Sequence, residues 1–441
     1  MTPEKSETPG IITTIKALFA PGDTPPAGAV TSAKPAPVGE TTDSPSPACA
    51  TGAAVAAIPA PAAPILTSAA TTPAPAVSNP APAPLNPASV SAPVILAPAA
   101  LKRIQAEMPA IFQRAMAKVE SGELALIGWG LAQPRVQKLA AEHEGKPWFF
   151  IGDIHGDFLA WHRLFERVKQ EKDFRLCFLG DLVDRGPLDL ACFAALLEAV
   201  EQYPGQIMWI LGNHDEGLRP PLTSPSGEKR FSSTVEPAEF VDFLNAKHEG
   251  IAPGLLQAWG TLFIDVCRRL PRAVLFFDGL LATHGGVPLE DRWPTLKTME
   301  AFHHPRCLGD FTWTRATGNP IKSGWKYDPA RRANSSSFEF GYKDLDGFCK
   351  AVEPVFPVKR VVRGHDHVEK GYEILPSYKN TPLMTINGLG FDHISNSVAK
   401  YRPTLVLGVG VPGQLPRPEE VAYLPEEHAG VYPLKDIAVA G

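Results

Sequence analysis

Five short apolar runs, each breaking at a glycine beside Asp, Asn or His, constrain this 441-residue chain more than any other feature. Trp148–Ile151 leads into Gly152-Asp153-Ile154-His155-Gly156, and Leu176–Leu179 into Gly180-Asp181-Leu182-Val183-Asp184-Arg185-Gly186. Met208–Leu211 leads into Gly212-Asn213-His214-Asp215, Leu280–Thr283 into His284-Gly285-Gly286, and Val361–Arg363 into Gly364-His365-Asp366-His367. Runs this short and this apolar are expected as buried strands, and polar residues at their tips converge on one crevice. Glycine at the break permits a tight turn and close backbone approach.

The segments between the runs are expected to be helices. After Gly156, Asp157 can cap a helix with Leu164, Phe165 and Val168 on its apolar face. After Pro187 a second helix carries Leu190, Phe193, Leu197 and Val200 until Tyr203-Pro204-Gly205 stops it. The pattern is a β-α-β unit repeated about twice, which places the chain in the α/β class. Leu101–Val119 reads as an outer helix despite Pro109, and Leu255–Arg269 as another, ended by Pro271. Asp344–Ala351 reads as a short helix, and Leu383–Asn387 and Thr404–Val409 as strands of an outer sheet. Arg219–Glu236 and Asp310–Phe340 lack periodicity and are expected to be loops, and the tail Val411–Gly441 gives little signal.

Residues 1–98 are mostly Ala, Pro, Thr and Ser, as in Pro80-Ala81-Pro82-Ala83-Pro84. Such a segment buries too little apolar surface to offset chain entropy and is expected to be a disordered tether. Residues 99–441 are expected to form one domain with its core over 147–410, because the five runs must meet in space. The net charge is −5 and no basic run occurs, which argues against general nucleic-acid binding. The six cysteines, Cys49, Cys177, Cys192, Cys267, Cys307 and Cys349, make no C-x-x-C pair, and the five outside the N-terminal segment read as reduced core thiols. Without a leader-like start or a run of membrane-spanning length, a soluble cytoplasmic protein is the expectation.

The residue types at the strand tips point to metal chemistry. Asp153 and His155 are two apart, so in extended chain they point the same way and can grip one cation. Asp181 can bridge two cations, Asn213 offers an amide oxygen, and His284 and His365 offer imidazoles. Oxygen and nitrogen donors without thiolate suit manganese first, with iron or zinc as alternatives. Two such ions about 3.5–4 Å apart can hold a bridging hydroxide for in-line attack on phosphorus. His214 is then placed as general acid for the leaving alkoxide, oriented by Asp184, while Arg185 can fork onto phosphate oxygens.

The five motifs, with Phe158–Val168, Trp259–Pro271 and Gly341–Glu373 between them, resemble the signature series of the metal-dependent phosphoprotein phosphatases of the calcineurin-like superfamily. The resemblance covers roughly 147–394. It implies a four-layer α/β/β/α sandwich with ligands on loops at the sheet edges. It implies Asp153, His155 and Asp181 on one metal, and Asp181, Asn213, His284 and His365 on the other. The second histidine of a Gly-His-x-His end, here His367, often adds to the first metal in the wider superfamily. Dinucleoside-polyphosphate hydrolases of the superfamily tend to have Gln where His155 stands, so His155 favours a serine/threonine-type protein phosphatase.

Departures set the chain apart. Asp215 stands where the family usually has Glu, and Leu211 where an arginine often precedes the Asn-His pair. The second phosphate-binding arginine has three candidates, Arg332, Arg331 and Arg315. Asn387-Gly388-Leu389-Gly390-Phe391-Asp392-His393 replaces a tyrosine-containing loop. The rival expectations are a nucleotide or dinucleoside-polyphosphate hydrolase and an inactive scaffold that recruits aromatic-grooved partners through the Pro-rich arm. His162, His303 and His304 are expected as packed or surface histidines, and Trp313 and Trp325 as packing residues.

Overall fold

The structure, a computed structural model, describes residues 97–441 apart from 226, 249–250, 319–337, 393–398, 402–403, 424–436 and 440–441. For 253, 391–392, 399–401 and 437–439 it describes the backbone alone. The expectations for residues 1–96, Trp325, Arg331, Arg332 and His393 therefore lie outside the described residues, as does Cys49.

Helix α1 (Ala97–Ser121) opens the described chain. It buries Ile104, Met108, Ile111, Phe112 and Ala115 along one side and carries Pro109 without ending. Strand β1 (Val136–Lys138) follows. The two β-α-β units are then β2 (Trp148–Ile151), α2 (Phe158–Val168), β3 (Arg175–Phe178), α3 (Asp189–Gln202) and β4 (Ile207–Trp209). Asp157 caps α2 as expected, accepting the Ala160 N–H at 3.0 Å. All three strands are buried throughout, because helices cover one face and a second sheet the other.

A short helix α4 (Asn213–Gly217) passes directly into a hairpin, β5 (Leu218–Thr223) and β6 (Lys229–Ser233). The loop expected over 219–236 is thus a two-stranded antiparallel element. Its strands are largely exposed and the first carries Pro220 and Pro221, so no alternating core pattern marked them. Next come α5 (Glu239–Asn245), α6 (Pro253–Cys267), β7 (Ala273–Leu275), β8 (Leu280–Thr283) and α7 (Pro305–Trp313). Helix α7 corrects the loop expected from residue 310, since Asp310–Trp313 is its last turn. A two-stranded pair joins β9 (Arg315–Ala316) to β10 (Glu339–Phe340). The chain continues through α8 (Tyr342–Val352), β11 (Arg360–Arg363), β12 (Tyr372–Ile374), β13 (Leu383–Ile386) and β14 (Phe391–Asp392). It closes with β15 (Ala399–Tyr401), β16 (Thr404–Val409), β17 (Arg417–Ala422) and β18 (Ile437–Val439).

Two mixed sheets form the centre. One has the order β17-β16-β2-β3-β4, the other β1-β7-β8-β11-β13-β12, and β14, β15 and β18 form a small third sheet. Strands β13 and β16 therefore do not share an outer sheet. Each lies inside a different central sheet, β13 between β11 and β12 and β16 between β17 and β2. Sequence alone showed only that both were apolar, and partner choice is a long-range property.

The core has three layers of side chains. Phe150, Cys177, Met208, Ala282, Val362 and Met384 point between the sheets. Their neighbours Phe149, Leu176 and Trp209 face α1, α2, α3 and α6 on one outside. Leu281, Val361 and Leu383 face Phe311 of α7 and Phe348 of α8 on the other. Period-two alternation across two covered sheets gives the expected α/β/β/α sandwich. At one end a backbone bridge between Asp153 and Asn387 joins the sheets.

Candidate metal centre

The five strand tips meet at that end. Asp153 and His155 follow β2, Asp181 and Asp184 follow β3, and Asn213 and His214 follow β4 across the first sheet. His284 follows β8, and His365 and His367 follow β11 in the second. Apart from His367, which is partly exposed, these side chains are buried.

The backbone is bent hard to bring them in. Among the described residues only six other than glycine have positive φ, and five of them are His155, Asp181, Asp184, Arg185 and His365. Left-handed backbone at a residue with a Cβ is costly and persists where surrounding contacts impose it. Close approach also demands glycine: a Cβ on Gly212 would lie 2.2 Å from Asp181 Oδ1, and one on Gly364 2.3 Å from Asp153 Oδ1.

Three of the imidazoles, His155, His284 and His365, are each held by one nitrogen and present the other. His155 Nδ1 donates to the Val183 carbonyl at 2.7 Å. Its Nε2 then faces Asp181 Oδ2 at 3.5 Å and Asp153 Oδ2 at 4.0 Å, buried and without a hydrogen-bond partner. His284 Nδ1 donates to the Leu179 carbonyl at 2.8 Å, while its Nε2 lies 2.9 Å from Asn213 Oδ1 and 3.4 Å from Asp181 Oδ2. His365 Nε2 donates to the Trp313 carbonyl at 3.2 Å, which leaves Nδ1 for the cluster. His367 Nε2 reaches within 3.6 Å of Asp153 Oδ2. The Asp153 carboxylate also accepts the His365 N–H at 2.9 Å, tying the sheets together.

Three triads have ligand atoms close enough to share a cation: Asp153-His155-His367, His155-Asp181-His214 and Asp181-His284-His365. Asp181 is common to two of them, and His367 lies with the Asp153-His155 pair. The orphaned His155 Nε2, aimed at two carboxylates, is the arrangement a divalent cation would satisfy. The donor set of carboxylate, imidazole and amide oxygen, with no thiolate, fits hard to borderline divalent ions.

The charge balance agrees. Burial opposes ionisation of Asp181, but His284 above all, by charge and hydrogen bond, outweighs it and holds that carboxyl well below its usual range. His284 is desolvated too, yet Asp181 and Asp153 carry its pKa up to about 9. Burial keeps His155 and His365 well below the ordinary histidine value, so both present neutral lone pairs.

Beside the cluster, His214 Nδ1 donates to Asp184 Oδ2 at 2.7 Å. Asp184 is fixed in turn by the Phe240 N–H at 3.0 Å. Arg185 is half-buried, and its Nε has no partner. Arg315, one of the three candidates for the second phosphate arginine, donates to Asp366 at 2.6 Å and to the His365 carbonyl at 3.2 Å. It is committed to the β11 loop.

Sequence reasoning missed three supporting groups. Asp215 is buried and gathers four donors: the N–H groups of Asp181 (2.9 Å), Leu182 (2.8 Å) and Gly212 (3.1 Å), and Trp209 Nε1 (3.3 Å). Asp157 accepts the Gly390 N–H at 2.9 Å and the Tyr423 hydroxyl at 3.2 Å, so the loop in place of the tyrosine segment is pinned to the first ligand loop. Trp313 supplies its carbonyl to His365. The Gly-rich spelling around residues 387–390 was the only trace of the second of these; the others leave no local signal. His162 is buried and stacks on Phe158, while His303 is half-buried and His304 exposed.

Fold and cluster together define a metallophosphoesterase. The chain belongs to the calcineurin-like phosphoesterase family, whose sequence profile matches residues 147–369, and it is a hydrolase of that family. A serine/threonine-protein phosphatase of Caenorhabditis elegans is 27% identical over 258 residues, 55% of this chain and 48% of the relative. A second protein of that organism, named a putative serine/threonine-protein phosphatase, is 27% identical over 51% of this chain and 54% of its own length. The chain thus spans about half the length of the curated relatives it matches. Among solved structures, a protein serine/threonine phosphatase of Saccharomyces cerevisiae aligns with a TM-score of 0.45 and 16% identity, over 73% of this chain and 90% of that one.

Proposed function

We propose that the chain is a serine/threonine-type protein phosphatase whose chemistry rests on two divalent cations, manganese first. The observation that carries the reading is the meeting of Asp153, His155, Asp181, Asn213, His284, His365 and His367 beside the His214–Asp184 pair. Asp153, His155, Asp181 and His367 would hold one cation, and Asp181, Asn213, His284 and His365 the other. When bound, such a pair supplies Lewis acidity to the phosphoryl oxygens and acidifies a water nucleophile.

The remaining work falls to side chains of the chain. Arg185 offers its guanidinium fork to the phosphoryl group. His214 has Nδ1 engaged by Asp184, so Nε2 is the atom that delivers a proton to the departing alkoxide. Asp184 fixes that tautomer and stabilises the cationic ring. The serine/threonine substrate class is supported by the names of the relatives and by His155 at its position. We also propose that residues 99–441 act as one catalytic domain and that residues 1–98, on composition alone, serve as a tether for partners. A cytoplasmic setting accords with the free thiols of Cys177, Cys192, Cys267, Cys307 and Cys349.

The test is a rate comparison on the manganese-loaded protein, with phosphoserine and phosphothreonine peptides against a dinucleoside tetraphosphate. A large preference for the peptides supports the reading. A large preference for the nucleotide replaces it with the polyphosphate hydrolase. No hydrolysis of either, or of a generic aryl phosphate, leaves the scaffold.

A further inference from the structure

A second polar cavity lies outside the cluster, and phosphoester chemistry makes no use of it. It has a volume of about 190 Å³ and four arginines in its wall, Arg135, Arg219, Arg268 and Arg272, against two acids, Asp215 and Glu216. The rest of the lining is largely apolar. No basic run in the sequence announces it, because the arginines come from the β1 entry, the β5 hairpin and the α6–β7 turn.

The two acids are already committed. Glu216 receives both terminal nitrogens of Arg272, at 2.6 and 2.9 Å, and the Trp313 indole N–H at 3.0 Å. Asp215 is buried and spends its oxygens on the donors around Asp181 and Trp209. Three guanidiniums remain weakly held. Arg135 Nη1 makes a long contact with the Leu270 carbonyl, 3.5 Å, and Arg219 Nη2 one with Thr234 Oγ1, 3.4 Å. Arg268 lies 3.6 Å from Asp265 in a pair exposed on both sides, which contributes little. Among the described residues, neither Arg135 nor Arg219 has a carboxylate within ion-pair distance. Arg135 is half-buried, and burial together with the charges of Arg272 and Arg269 depresses its pKa. Arg135 is thus a partly desolvated charge in the cavity wall, which is costly unless an anion joins it.

We propose that this cavity is an oxyanion site of the phosphate class, filled by free phosphate or by the phosphoryl group of a phosphomonoester. Arg135, Arg219 and Arg268 supply the forks, and Arg272 the fixed rear wall. Guanidinium forks match tetrahedral oxyanions, and a dianion answers the surplus of positive charge better than a monocarboxylate. The site is independent of the phosphatase reading, because none of its arginines belongs to the metal centre.

The experiment is calorimetric titration of the full chain, stripped of metal with a chelator, at low ionic strength. The probes are inorganic phosphate, a phosphoserine peptide and acetate. Phosphate is expected to bind one per chain, and acetate at least about tenfold more weakly. Arg135→Gln and Arg219→Gln should each weaken phosphate by about tenfold, the loss of one charge-assisted pair. Arg135→Lys should keep most of the affinity, and Arg185→Gln in the catalytic crevice should leave it unchanged. Arg219 and Arg268 are exposed, so their variants fold even where Arg135→Gln does not, and melting curves verify it. A peptide that binds more tightly than phosphate identifies a phosphoprotein as the source, and equal binding identifies free phosphate. The proposal is overturned if millimolar phosphate gives no binding, if acetate binds as well, or if affinity falls with Arg185→Gln and not with the cavity variants.

Discussion

Asp184 holds His214 through a 2.7 Å hydrogen bond and is itself held by the Phe240 amide. The His214 ring therefore has one nitrogen left for proton delivery. His214→Asn is expected to slow hydrolysis of an alkyl phosphate by about a hundredfold. A nitrophenyl ester should lose far less, because its leaving group needs little protonation. Equal losses on the two substrates in steady-state assays would count against the acid role. Asp215 makes a different prediction. Its carboxylate collects four N–H donors, and an amide in its place would present an NH2 group to some of them. Asp215→Asn should cost about 2–3 kcal/mol in chemical denaturation and weaken divalent-metal binding through the displaced Asp181 backbone. At this scale the clustering side chains were legible, since Asp, Asn and His stand beside glycines at strand ends. Asp215 was legible only as a departure from a family pattern. Its task depends on Trp209 and Leu182, which no local spacing could bring to it.

The loop after β4 illustrates how an element makes room for a carboxylate. A Cβ on Gly212 would lie 2.2 Å from both the Asp181 nitrogen and its Oδ1. Gly212→Ala should therefore push the β3 and β4 loops apart, with a cost of about 2–4 kcal/mol and a large loss of metal uptake by atomic absorption. A stable variant with full metal content would refute this account. The helices and central strands were readable as elements because their apolar periodicity matches the covered faces they now occupy. The β5–β6 hairpin was not, because both strands are largely exposed and β5 carries two prolines, so the usual alternation is missing. The last turn of α7, Asp310-Phe311-Thr312-Trp313, alternates polar and aromatic residues, a period-two spelling that does not announce a helix. Strands β13 and β16 were recognised individually but wrongly placed together, since which sheet accepts a strand depends on partners far away in the chain.

For the whole molecule, the metal centre couples stability to pH. In the metal-free protein the pKa of His284 stands near 9 against 6.5 for an ordinary histidine. The folded state thus holds that proton more tightly than the unfolded chain. The resulting stabilisation is fully present below pH 6.5 and disappears as pH rises through 9. Melting of the metal-free protein should fall across that window, and a flat profile would contradict it. A cation must displace the same proton from Nε2, so apparent metal affinity should rise with pH toward 9. Chelation at neutral pH should abolish hydrolysis. Ligand at a hundredfold over its dissociation constant should restore about 2.7 kcal/mol of stability.

The contact between the Asp153 carboxylate and the His365 amide, with the Asp153–Asn387 bridge beside it, has a mechanical consequence. Neither half of the sandwich can slide past the other without first breaking a bond to Asp153. Amide hydrogens of Gly152–His155 and Gly364–His365 should therefore exchange as one cooperative block. A crevice built across such a seam is expected to admit its substrates without parting of the two halves.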